Sequence, residues 1–216
     1  MTDIGVWCNG NTADSGPAFP GSSPGTPTTD KSQLLNMVVG FFFFFRKHNY
    51  KLKTINMMNI TEQDREFMCE AIRLADESVK NGGGPFGAVI VKDGKVIAGR
   101  SNSVTLDNDP TAHAEVNTIR EACHKLGTFD LSGCTIYTSC EPCPMCLGAI
   151  YWAHLDLIYY GNDRKDAAEI GFDDDFIYQE LSKRIADRST PIVQILRAEA
   201  LSSFKLWSDK TDKTEY

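Results

Sequence analysis

The chain has 216 residues, of which 42% are hydrophobic and 24% charged, enough for one globular domain with a buried core. Its net charge is −7, and residues 58–216 carry 26 Asp/Glu against 17 Lys/Arg. An acidic body repels phosphate backbones, which counts against a general nucleic-acid binder but still allows a local basic groove.

The N-terminal part, residues 1–57, does not have the sequence of a folded element. A stretch rich in Gly, Pro, Ser and Thr precedes five consecutive phenylalanines. "NGNT" and "GSSPG" can be encoded by DNA that resembles the D-loop and T-arm of a transfer RNA, and "FFFFF" by a thymine tract. We therefore expect residues 1–57 to be a non-native or disordered extension, with the natural start at Met57 or Met58. The alternative is a genuine disordered leader.

No membrane or secretory segment is predicted. The apolar stretch 34–45 is shorter than the roughly 20 residues that span a bilayer, and the turn-rich residues before it do not suit a signal peptide. We therefore expect a cytoplasmic protein, in which clustered cysteines indicate metal binding or catalysis more often than disulfides.

Residues 58–216 are predicted to form the folded domain. Thr61 and Asp64 make a capping box that begins a helix. "FGAVIVKDGKVIAGRSN" predicts two strands that turn at Asp93-Gly94. Asp109-Pro110 is expected to begin a second helix, which ends at Gly127.

The second half of this domain alternates strands and helices. The predicted order is the strand "CTIYTS", a helix entered through Pro142 or Pro144, the strand "LDLIYYG", the short helix "RKDAAEI", a helix in "FIYQEL", a last strand "PIVQILR" and a terminal helix. This order predicts an α/β fold of three α/β/α layers, in which helices cover both faces of a mixed sheet.

Three cysteines lie close together in "TSCEPCPMC". Cys143 and Cys146 are three residues apart, so both thiolates can face the same way at the start of a helix. Zinc takes about four N or S ligands, and a catalytic zinc keeps one position for water. The residues that could complete the ligand set are Cys140, His48, His113, His124 and Cys123.

The sequences "HAE" at 113–115 and "PCPMC" at 142–146 match the H-x-E…P-C-x-x-C signature of the zinc nucleobase deaminases. In that signature the glutamate is the acid/base and not a ligand. One alternative is a closed site in which Cys140 is the fourth ligand. It would leave no position for water and no task for Glu115. A thioredoxin-like redox pair would leave both His113 and Glu115 unused.

Over essentially all of 58–216 the sequence resembles the bacterial guanine deaminases, which have the cytidine deaminase fold. The shared segments are "GGPFGAVIVKDG", "NDPTAHAEV", "YTSCEPCPMCLGAIYWA", "AAEIGFDDDFIY" and a terminal "EY". The first three segments would also suit relatives that act on other bases, whereas "GFDD" and the terminal tyrosine narrow the resemblance to the guanine deaminases.

The resemblance implies one zinc ion per subunit, held by His113, Cys143 and Cys146, with Glu115 as the proton shuttle. It implies a homodimer in which the C-terminal segment swaps between subunits, so that Tyr216 reaches the partner's site. The implied purine pocket consists of Asn102, the backbone of Ala114, Phe86, Asp174 and Tyr216.

The expected reaction converts guanine to xanthine and ammonia in purine catabolism, with a small purine base as the substrate. A tRNA adenosine deaminase, a cytosine or guanosine deaminase, and a non-catalytic zinc protein remain alternatives. From the residues alone, Phe86 could be a core residue, Asp174 part of a solvated loop, and Asn102 a turn residue.

Overall fold

The computed structural model describes residues 59–215. The predictions on residues 1–57, on the start at Met57 or Met58, on His48 and on Tyr216 lie outside these residues. The elements in chain order are α1 (Glu62–Lys80), β1 (Gly87–Lys92), β2 (Lys95–Ser101), α2 (Val104–Asp107), α3 (Ala114–Leu126), β3 (Cys134–Cys140), α4 (Pro144–Trp152), β4 (Leu157–Asn162), α5 (Arg164–Glu169), α6 (Asp175–Ser182), a 3-10 turn (Ile185–Asp187) and α7 (Arg197–Asp209).

The sheet has the strand order β2-β1-β3-β4. Strand β1 is antiparallel to both β2 and β3, whereas β3 is parallel to β4, so the predicted mixed sheet is confirmed. The parallel pair is possible because α4 connects the two strands.

Helices cover both faces of this sheet, as the three-layer prediction requires. On one face, Ala71 of α1 packs with Val89, Val91 and Tyr137. On the other face, the buried residues of α3 and α4 form a larger core with the sheet, which includes Ala114, Ala122, Ile150, Ile90 and Ile136. Side chains alternate between the two faces along each strand, so neighbouring strand residues belong to different cores.

Two local predictions are confirmed. The capping box of α1 forms, with Thr61 accepting a hydrogen bond from the backbone of Asp64 and the Asp64 carboxylate accepting one from the backbone of Thr61. Asp93 and Gly94 both have positive φ, of 49° and 72°, as a two-residue hairpin turn requires.

The predicted start of the second helix is wrong. Helix α3 begins at Ala114 with His113 as its N-cap, and not at Asp109-Pro110. The Asp109 carboxylate instead accepts a hydrogen bond of 2.8 Å from the backbone N–H of Thr111, an Asx turn that satisfies it outside a helix. The predicted end is confirmed, since Gly127 closes the helix in the left-handed conformation.

The predicted last strand, "PIVQILR", is also wrong. Residues 191–196 have no regular structure, and Arg197 is the first residue of α7. Within the single chain no neighbouring strand pairs with this segment among the described residues, and a strand without a neighbour leaves its backbone groups unpaired. Its apolar side chains are exposed, with Val193 and Ile195 at 77% and 75%.

Among the described residues, no helix combines the length and the apolarity needed to cross a membrane.

Candidate zinc and active site

Two helix N-termini form the centre of the site. His113 is the N-cap of α3 and Cys143 is the N-cap of α4, and both have extended backbone conformations. Pro144 is the first residue of α4, where its fixed φ favours the helix and its missing N–H costs nothing. Because α3 and α4 pack on the same face of the sheet, their N-termini lie close together.

The ligand atoms of His113, Cys143 and Cys146 lie within 4.8 Å of one another. The Nδ1 atom of His113 is 3.7 Å from the Sγ atom of Cys143 and 3.5 Å from the Sγ atom of Cys146. Tetrahedral zinc with ordinary Zn–N and Zn–S bonds would hold such atoms about 3.5–3.8 Å apart. The donor types and their separations therefore fit a zinc ion.

Cys140 does not join this group. Its thiol is 3.7 Å from the backbone oxygen of Asp163, to which it donates a hydrogen bond. Burial raises its pKa to about 11, so it stays a thiol at neutral pH. The metal-ligand group found among residues 59–215 contains His113, Cys143 and Cys146 without Cys140. This geometry favours a three-ligand site with a fourth position for water over the closed four-ligand alternative.

The two cysteines of the group differ in acidity. A hydrogen bond from Cys146 lowers the pKa of Cys143 to about 4, and the nearby His113 contributes in the same direction. The same hydrogen bond, together with burial, raises the pKa of Cys146. Since thiolates are the metal-binding form, binding of zinc requires Cys146 to release its proton.

Glu115 lies in the first turn of α3 and is 6% exposed. Its Oε1 atom is 3.3 Å from the hydroxyl of Thr138, and its Oε2 atom accepts a hydrogen bond of 3.4 Å from Cys146. Burial raises the pKa of this carboxyl group, although the hydrogen bonds from its own backbone N–H and from Cys146 act in the opposite direction. A carboxyl group with a raised pKa is suited to proton transfer near neutral pH.

The position of His113 explains how it can share a site with Glu115. Residues two apart on a helix point to different faces. His113, however, is the N-cap and has an extended backbone, so its side chain does not follow the helical spacing.

A cavity of about 510 Å³ opens onto the site. Its lining includes the predicted pocket residues Phe86, Asn102 and Asp174 together with His113, Glu115 and Cys143. Ala114, which is fully buried, is not among the lining residues.

Two of the predicted pocket residues are held in ways that leave groups for a ligand. The side-chain oxygen of Asn102 accepts a hydrogen bond of 3.2 Å from the N–H of Val104, which leaves its NH₂ group as the end that can bind. Asp174 is the N-cap of α6, but its side chain makes no capping hydrogen bond. Burial raises the pKa of its carboxyl group.

The sequence interpretation missed several cavity residues. The ring of Phe172 packs edge-on against Phe86, with 5.0 Å between centroids and an angle of 89°. Arg164 also lines the cavity, and its guanidinium lies 5.2 Å from the ring centre of Tyr178. Phe172 belongs to the "GFDD" segment, so the resemblance to guanine deaminases could have pointed to it as a pocket residue. Arg164 is the first residue of a short helix, and nothing in its local sequence indicates a pocket.

Comparisons with known proteins agree with this site. Residues 61–162 match the family described as the cytidine and deoxycytidylate deaminase zinc-binding region. Guanine deaminase of Bacillus subtilis (strain 168) is 55% identical over 151 residues, which cover 69% of this chain and 97% of that protein. A crystal structure of guanine deaminase from Bacillus subtilis matches with a TM-score of 0.69 and 54% identity, covering 70% of this chain and 98% of that one. The tRNA-specific adenosine deaminase of Bacillus subtilis (strain 168) is 41% identical over 99 residues, 46% of this chain and 62% of that protein.

Proposed function

The chain belongs to the zinc-binding cytidine and deoxycytidylate deaminase family, and we propose that within this family it hydrolyses guanine to xanthine and ammonia. The observation that carries the proposal is the meeting of a His-Cys-Cys ligand group with the buried Glu115 at one cavity. The identity of 55%, which extends over nearly the whole length of a guanine deaminase, supports the choice of base.

His113, Cys143 and Cys146 would hold the zinc ion, which supplies an acidified water as nucleophile near neutral pH. Glu115 would take up a proton from that water, because its Oε2 atom, 3.4 Å from the Sγ atom of Cys146, lies beside the ligand group. It would then pass that proton to a ring nitrogen beside C2 of guanine as the water oxygen adds to C2. It would take a second proton from the hydroxyl formed at C2 and pass it to the amine, which leaves as ammonia while C2 becomes a carbonyl. Guanine and water become xanthine and ammonia, and Glu115 returns to its starting state.

The cavity walls suit a purine base. Asp174 can accept hydrogen bonds from the ring N–H and amino groups of guanine, and the NH₂ group of Asn102 can donate to a ring nitrogen or oxygen. The perpendicular rings of Phe86 and Phe172 offer an aromatic contact for the base.

The test is ammonia release from guanine, guanosine, adenine and cytosine by the purified zinc-loaded protein, with inosine formation in tRNA assayed in parallel. The proposal expects guanine to have the highest kcat/KM. Comparable or faster turnover of another base, or of adenosine in tRNA, would show that guanine is not the preferred substrate. No turnover of any of them by a zinc-loaded protein would support a non-catalytic zinc protein.

We further propose a homodimer in which the C-terminal segment exchanges between subunits. The sheet ends at β4, whose outer edge has no strand beside it among residues 59–215, and Tyr160 on this strand is 52% exposed. The unpaired apolar residues 191–196 have the composition of a strand, and an open edge is a template for one. Helix α7 also exposes apolar side chains, namely Leu201, Phe204, Leu206 and Trp207.

A second copy would give these surfaces a partner. Sedimentation equilibrium should show a mass twice that of the 24.0 kDa chain, and removal of residues 191–216 should shift it to the monomer. A truncated chain that remains a dimer would contradict the exchange.

We also propose that the enzyme lies in the cytoplasm, because a reducing environment keeps the zinc-binding thiols from forming disulfides.

A further inference from the structure

Thr138 is a buried hydroxyl that the reaction described above does not use. It lies on β3 and is 1% exposed. Its side chain is on the same face of the strand as Cys134 and Ile136, both of which are completely buried in the core beneath α3 and α4. A hydroxyl in such a position is costly unless it is hydrogen-bonded.

Two oxygen atoms lie within reach of this hydroxyl. The Oγ1 atom of Thr138 is 3.3 Å from Oε1 of Glu115 and 3.0 Å from the backbone oxygen of Cys140. A hydroxyl has one proton to donate and two lone pairs. It can donate to Oε1 when the carboxylate is ionised and also when the proton sits on Oε2. If the proton sits on Oε1, the hydroxyl can accept that hydrogen bond and donate to the Cys140 oxygen instead. Thr138 therefore can remain bonded to Oε1 in both states that Glu115 passes through.

The other side-chain contact of Glu115 does not persist. Cys146 donates to Oε2 only as a thiol, and as a zinc ligand it is a thiolate with no proton to donate. Within residues 59–215, the side chains of Thr138 and Cys146 hydrogen-bond Glu115. Once Cys146 binds zinc as a thiolate, Thr138 is the one of these two that can still make its hydrogen bond.

We propose that Thr138 is a positioning residue, which holds Oε1 of Glu115 in place so that Oε2 stays directed toward the zinc ligands during proton transfer. This inference rests on the proposed deaminase function. Without the hydroxyl, the carboxylate could rotate about its side-chain torsions, and a displaced acid/base slows the chemical step more than it weakens substrate binding.

The test compares Thr138→Val, which removes the hydroxyl at nearly the same volume, with Thr138→Ser, which keeps it. Thr138→Val should lower kcat about tenfold, the usual effect of losing a hydrogen bond to a functional group at a metal site, with KM within about twofold. Thr138→Ser should restore most of kcat. In a Glu115→Gln background, Thr138→Val should cause little further loss, because the group that it positions is already gone.

Thr118→Val is the matched control. Thr118 is also completely buried, but its hydroxyl lies 2.7 Å from the backbone oxygen of Ala114 and 3.2 Å from that of Ala88, so its proton goes to the backbone and not to Glu115. Its replacement should lower thermal stability and leave kcat within about threefold. Equal losses of kcat in Thr138→Val and Thr118→Val would overturn the proposal, as would unchanged kcat in Thr138→Val with full zinc content.

A readout without turnover separates this inference from the choice of substrate. Crystal structures of the zinc-loaded protein should show one Glu115 conformer in the wild type and in Thr138→Ser, but an altered or divided conformer in Thr138→Val. An unchanged Glu115 in Thr138→Val would overturn the positioning role even if guanine proved to be the wrong base. If Thr138→Val does not fold, Thr138→Ala and Thr138→Ser provide the same comparison.

Discussion

The Nδ1 atom of His113 lies 3.5 Å from the Sγ atom of Cys146, although 33 positions separate the two residues in the chain. The histidine precedes α3 and the cysteine lies in the first turn of α4, so their distance depends on how both helices pack on one face of the sheet. The site therefore requires the folded domain and not only the motif.

Removing a ligand should remove the metal. His113→Ala and Cys143→Ser should each lose zinc, because a three-ligand site cannot spare a donor. Cys140→Ser is the control and should keep about one zinc per chain, since its thiol bonds the Asp163 oxygen instead. Elemental analysis of the dialysed proteins measures this. Zinc loss in Cys140→Ser would restore the four-ligand alternative.

Glu115→Gln should separate metal binding from catalysis. The amide has the same shape as the carboxyl group but cannot carry the proton, so turnover should fall at least about a hundredfold while zinc content is retained. Steady-state kinetics and elemental analysis on one preparation check both. Activity near that of the wild type, with zinc present, would assign proton transfer to another group.

Removing the last two residues tests the exchange of the C-terminus. Without Glu215 and Tyr216, activity on guanine should decrease with little change in zinc content or thermal stability, because the tail would close the partner's cavity. The truncated chain mixed with full-length Glu115→Gln should regain activity, because its intact site borrows the partner's tyrosine. An active truncated homodimer would make the tail dispensable. Failure to recover, once subunit exchange is verified, would place Tyr216 in its own subunit's site.

Asp64 should contribute stability that depends on pH. Its carboxylate accepts a hydrogen bond of 2.5 Å from the Tyr137 hydroxyl and caps α1 with Thr61. Burial raises the pKa of Asp64, but these hydrogen bonds outweigh it and leave the pKa below its ordinary value of 3.8. Because the folded pKa is depressed, the stabilisation is complete above the unfolded pKa and is lost as the pH falls through the folded one.

Asp64→Asn should accordingly lower the free energy of unfolding by about 1 kcal/mol at pH 7, the typical value of a helix cap. The difference from the wild type should shrink only below about pH 4. Urea denaturation of the metal-free wild type and variant between pH 7 and pH 3 measures this, because zinc would dissociate within this range as its ligands take up protons. The exposed Glu66→Gln in the same helix is the control. A difference that does not change with pH would show that the charge is irrelevant.

Local chemistry made several features predictable. The capping box at Thr61, the turn at Asp93-Gly94 and the glycine at 127 each depend on residues close in sequence, so their physics is complete within a few positions. The signature residues from 113 to 146 likewise indicate a zinc deaminase from the sequence alone.

Other features were decided only by the tertiary structure. The side chain of Asp109 had two local uses, a helix cap or an Asx turn, and its sequence did not distinguish them. Residues 191–196 have the composition of a strand, but a strand exists only where another strand pairs with its backbone, and the single chain provides none among the described residues. Thr138 reads as an ordinary strand residue, and its contact with Glu115 arises because β3 passes beneath the start of α3. Sequence determines which groups are present and what they do with near neighbours, whereas contacts between distant segments depend on how the layers pack.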